Sequence, residues 1–219
     1  MDKLTHTTLL ILHVSTGAIG LLAGTVNMIR KKSGAGHRKL GIIFVYSMSV
    51  SALLAIYMSI FSKNEFMFAA GGLALYMSLS GYRALHHYRT KGLAVYNYVD
   101  YFTTVFVLVF GILLLIIGTL ALVQGNAMGA VPLVFSFLSL RYFLIGDISK
   151  YRKIPTERIV WLRAHIGKMC GAYIAASTAF LVNNTYYISE NFVKMPSGSE
   201  VIFWLLPTAI VFPLISRWL

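Results

Sequence analysis

Apolar positions in this chain gather into seven long blocks divided by short polar or glycine-containing breaks. The blocks run roughly over 8–29, 40–61, 66–85, 100–123, 127–146, 161–183 and 201–218. A helix rising ~1.5 Å per residue needs ~20 mostly apolar residues to cross ~30 Å of hydrocarbon, which is the length of these blocks. The pattern predicts an all-α, polytopic membrane helix bundle of about seven transmembrane helices, with 1–219 as a single transmembrane domain. The breaks at Arg30–Lys39, Ser62–Glu65, Leu85–Val99, Gln124–Asn126, Asp147–Val160 and Asn184–Glu200 have the character of membrane hairpin loops. Thr156-Glu157 after Pro155 predicts the start of the sixth helix, and Ser197 or Ser199 that of the seventh. Pro207 and Pro213 inside the seventh each remove a backbone donor and predict a kink there.

Composition narrows the class further. With 58% apolar residues and only 12% charged, a soluble domain of 219 residues could not hide its apolar side chains from water. The net charge of +12 would suggest nucleic acid in a soluble protein. Here the cations sit in short loops between apolar blocks, which points to topology and contact with anionic lipid and away from nucleic acid. Counting loops alternately puts fifteen Lys and Arg on one side (from Arg30, Lys31 and Lys32 through Lys168 to Arg217) against Lys3, Lys63 and Lys194 on the other. Positive loops stay in the cytoplasm, so the N-terminus is expected outside and the C-terminus in the cytoplasm. The lone cysteine, Cys170, lies inside an apolar block and excludes a disulfide framework.

Polar residues within the blocks are the candidates for chemistry, because ionisable groups in a membrane pair, bind or line water. In the first helix His13, Gly17, Gly20 and Gly24 follow steps of four, three and four and share one face. A glycine groove of this kind admits either a neighbouring helix or a flat ring, with His13 bonded to a neighbour's carbonyl or hydroxyl in the first case. In the sixth helix His165 and Met169 stand one turn apart, with Asn183 near the far end. His37 and Arg38 begin the second helix at the depth of His165 and Asp147, and those four are expected to form one polar site near the cytoplasmic face. His37 and His165 are its candidate metal ligands. Ordinary interfacial anchoring would also account for Arg38, Arg163 and Lys168, and His86 and His87 read as a solvated helix end. His13 and His165 fall about 16 Å apart in depth, too far to ligate one iron from opposite sides. Motifs for zinc proteases, serine hydrolases and phosphate-binding loops are absent from the sequence.

With His13-x3-Gly17, His37-Arg38-x2-Gly41 and His165-x3-Met169 in this order, the chain resembles a family of bacterial multi-pass membrane proteins of unknown function. The stretches Gly171–Asn183 and Trp204–Thr208 look like one branch of it, whereas Ile166 and Lys168 stand where Arg and Trp are common. The resemblance implies a bacterial inner-membrane location and marks those residues as a set without assigning a reaction. The reading favoured by the residues is a redox or cofactor-binding membrane protein holding heme b, a quinone or a metal. A small-solute or ion transporter, with His13, Asn27, Asp100, Asp147, His165 and Asn183 as polar stations, and a non-catalytic assembly subunit or homo-oligomer are the alternatives.

Overall fold

The structure, a computed structural model, describes residues 2–32, 34–90, 96–192 and 201–218. Among the described residues it is all-helical with no strand. In chain order the helices are α1 (Lys3–Ile29), α2 (Ala35–Ser62), α3 (Glu65–Arg89), α4 (Tyr98–Val123), α5 (Ala127–Arg152), α6 (Arg158–Asn183), α7 (Thr185–Asn191) and α8 (Ile202–Trp218). Four of them, α1, α2, α4 and α5, are long and apolar enough to cross a membrane. The other two long helices, α3 and α6, are more mixed, and α8 is apolar but only 17 residues long.

The helix starts lie earlier than the apolar blocks suggest, because polar first turns are helical too. Asp2, Asn64 and Asn97 cap α1, α3 and α4 through their side chains, and Asn97 with Asp100 forms a reciprocal capping box. For α6 the N-cap is Glu157 rather than Thr156, and its side chain makes no capping bond. Ser197 and Ser199 lie outside the described residues. Both prolines of the last block are inside α8, with Pro207 buried and Pro213 exposed. Within α5 the segment Leu138–Leu144 widens to π-helical hydrogen bonding just before Asp147.

Packing explains why α3 is one of the less apolar long helices. Helix α3 runs against α2 on one side and α6 on another, with α4 and α5 beyond it. Its run from Ala69 to Ser78 is buried throughout, so protein and not lipid sets which side chains it tolerates. Four helices close a ring in the order α1, α2, α3, α6, with α1 touching α6, which leaves α2 and α6 on a diagonal. Phe44, Met48, Leu73, Tyr76, Met77, Val107 and Ala172 make the main core. Where α4 meets α5, a Cβ on Gly118 or Gly129 would lie 2.7 Å from the other's carbonyl oxygen, a contact only glycine permits.

Candidate functional site

A cavity of about 390 Å³ opens at the end of the ring where α1 and α3 finish and α2 and α6 begin. Asn27 of α1, His37 and Arg38 of α2, Tyr88 and Arg89 of α3, and His165, Met169 and Cys170 of α6 line it, with Lys32 and Trp218 at its edge. Its floor is apolar and aromatic. Phe44 and Tyr173 close over Gly24, where a Cβ would stand 2.7 Å from a Tyr173 ring carbon, and the Tyr173 hydroxyl is bonded to Thr25 Oγ1 at 2.8 Å.

The polar groups of this cavity are unevenly satisfied. His165 Nδ1 stands 2.8 Å from the Gly81 carbonyl oxygen, a contact that only an N–H can make, so the proton sits on Nδ1 and Nε2 carries a lone pair. His37 Nδ1 and Asn27 Oδ1 are buried without a hydrogen-bond partner among the described residues. Native proteins seldom leave such atoms unpaired unless something else meets them. Lys32 Nζ donates to the carbonyls of Asn27, at 3.0 Å, and Met28, and lies 3.8 Å over the Trp218 ring. It thereby closes the carbonyl end of α1 with a cation, the sign that a helix C-terminus favours. Arg38 and Arg89 are exposed at the rim. Among the described residues no Asp or Glu lines the cavity, so its field is positive.

Asp147, expected beside His37 and His165, is not there. Its carboxylate accepts from the Tyr76 hydroxyl at 2.6 Å and from Lys168 Nζ at 2.9 Å, with Lys150 Nζ at 3.4 Å. The reason is helical phase: Lys168 is three residues beyond His165, yet it is directed to the α5 side of α6 and is buried there. Lys168 is therefore no interfacial anchor. A second carboxylate lies close by: Arg83 donates to both oxygens of Asp100, Nε at 3.0 Å and Nη2 at 2.5 Å, and His87 Nε2 stands 3.3 Å away. His87 is not a solvated end residue, being 1% exposed and stacked on Trp161 with ring centroids 4.6 Å apart. A void of about 30 Å³ separates the two carboxylate groups, room for a water or two. Tyr96, in the connection before α4, donates to the Lys150 carbonyl at 3.2 Å. Burial, and then the neighbouring Tyr151 and Asp100, push its hydroxyl up to about 12, so it stays a donor at any physiological pH.

Arg83 and Asp100 carried a readable signal, opposite charges flanking one short connection. Asp147 and Lys168 did not, since their pairing depends on the rotation of two helices.

His13 and the glycines of α1 disperse in a different way. His13 Nδ1 bonds the Ser51 carbonyl at 2.9 Å and the Ser51 hydroxyl at 3.0 Å. Helix α2 covers the glycines of α1: Ser51 lies over Gly17, and Met48 with Ser47 over Gly20. Of the two guests the groove could admit, a neighbouring helix fills it as far as Gly20, and only Gly24 reaches the cavity. Of the polar stations of a transporter path, Asn27 and His165 line the cavity and the others lie away from it. Asp100 and Asp147 are saturated with partners, while Asn183 is exposed at the far end of α6. Comparisons with family models, curated proteins and solved structures gave no match, so the family resemblance rests on the quoted motifs alone.

Proposed function

We propose that this chain is a cofactor-binding membrane protein of redox type, whose ligand sits in the cavity between His37 and His165. One observation carries the reading: two histidines on diagonal helices of a four-helix ring face one cavity with a positive rim, an apolar floor and buried polar atoms left unpaired. A ligand with a flat apolar body and an anionic or carbonyl edge suits those walls, and the volume falls within the usual range for small-molecule sites. His37, Arg38 and His165 are assigned to it, whereas Asp147 holds the adjoining helices together and His13 joins α1 to α2. A bare metal ion is the poorer guest, because the described residues bring together no group of three or more His, Cys, Asp or Glu.

In the membrane this reading takes α1 to α6 and α8 as seven spans, the N-terminus outside and the basic end, with its cavity, facing the cytoplasm of a bacterial inner membrane. Helix α3 crosses as the enclosed member of the bundle, with the half-buried α6 against it. Anionic lipid meets Arg158, Arg163 and the other exposed cations, and the exposed apolar faces of α1 and α4 meet acyl chains or another subunit.

Cys170 tests occupancy directly, being the only cysteine in the chain and a wall of the cavity. Alkylation of Cys170 by a small membrane-permeant thiol reagent should be slow in the protein as isolated from membranes and faster after extraction of its bound small molecule. A rate indifferent to extraction, with no organic molecule recovered, would overturn the proposal. For topology, single cysteines introduced into a Cys170→Ala background should react from outside at 185–191 and from the cytoplasm at 150–153. The reverse accessibility would invert the assignment.

A further inference from the structure

We infer that the cofactor is heme b, bound with His37 and His165 as its two axial ligands. This rests on the cavity being a cofactor site, and it follows from ligand arithmetic. Two imidazoles are too few for a free ion, but a porphyrin supplies four nitrogens of its own and asks the protein for one ligand on each face. The pair must come from opposite walls at one depth, which two helices on a diagonal provide and adjacent turns of one helix do not. Helices α2 and α6 are that diagonal pair. His37 lies in the first turn of α2 and His165 in the second turn of α6, both at the basic end.

The imidazoles are also in the right chemical state. His165 donates its Nδ1 proton to the Gly81 carbonyl, fixing the ring and leaving the Nε2 lone pair free, as metal-ligating histidines are commonly oriented. His37 keeps Nδ1 buried with no hydrogen-bond partner among the described residues, so no described group holds that ring in place of a ligand. A heme further carries two propionates, and Arg38 and Arg89 stand at the rim with no described carboxylate on the cavity wall to neutralise them. His13 cannot substitute, because it lies outside the cavity walls.

The test is titration of the purified, heme-stripped full-length protein in detergent with hemin. Expected is one equivalent bound per chain, with low-spin, six-coordinate spectra in both oxidation states and sharp α and β bands on reduction. His37→Ala and His165→Ala should each give a high-spin species and weaken binding about tenfold or more. His13→Ala should bind as the parent does. Because removing His165 also frees the Gly81 carbonyl, His37→Met is the second probe. It should remain low-spin, with a raised reduction potential, as His/Met ligation does. Arg38→Ala should weaken hemin but not hemin dimethyl ester, which separates propionate recognition from iron ligation. Low-spin hemin unaffected by both alanine variants would overturn the ligand assignment. Failure of the folded parent to bind hemin would overturn it as well. In that case protection of Cys170 from alkylation by a short-chain quinone leaves the cavity reading standing, and its absence takes that reading down too.

Discussion

Two regions share the basic end of this molecule and the helices α3 and α6, yet they are built on opposite rules. On the α5 side two carboxylates meet Arg83, His87, Tyr76, Lys150 and Lys168 within hydrogen-bonding or ion-pair distance, around a void of about 30 Å³. On the α1 and α2 side histidines and cations surround about 390 Å³ and no described carboxylate answers them; two of its buried polar atoms, against His87 Nδ1 in the first region, lack partners among the described residues. Charge in the first region is neutralised within the protein, which fixes helix against helix. In the second it is left over, which is what a binding site needs. Polar residues inside a membrane bundle are thus not of one kind, and the presence or absence of a counter-charge separates them better than their depth.

That contrast is sharpest in stability. Asp147→Ala leaves Lys168 buried without its counter-charge and is expected to cost about 3–5 kcal/mol, read from thermal or denaturant unfolding in detergent. A loss below 1 kcal/mol would mean that Lys168 escapes to water and that the region is not the clamp described here. Replacing the pair together, Asp147→Leu with Lys168→Met, should recover most of that loss, since a buried ion pair exchanged for well-packed apolar side chains is often neutral. Should the double variant be no better than the single one, Tyr76 and Lys150 contribute more than the Asp147–Lys168 pair. Next in size comes Gly20→Leu. Even a Cβ there would come 2.2 Å from Met48 Cε, so overpacking of about 1–3 kcal/mol should lower the melting temperature. Unchanged melting would place this face of α1 against lipid. The smallest change belongs to the cavity: His37→Ala in ligand-free protein should shift stability by less than about 0.5 kcal/mol, because no hydrogen bond of its Nδ1 is lost. A large loss would show His37 to be structural and erase the distinction between the two regions.

The all-helical class was legible in the sequence because apolar block length is a one-dimensional property, and so is the loop charge on which the orientation proposal rests. The joint placement of His37, Arg38 and His165 could also be anticipated, since all three lie within about two turns of a helix start and depth along a bundle follows from distance to a break. Rotation about each helix axis was not legible. It decides whether Lys168 turns to Asp147 or to the loop, and whether His87 stacks on Trp161 or meets water. It also decides whether the glycines of α1 receive a ring or the side chains of α2. Periodicity states which residues share a face, but the partner of that face is chosen by which helices become neighbours. In a bundle of several similar apolar helices that choice turns on small-residue contacts, such as Gly118 against Gly129, which exist only once the helices are assembled.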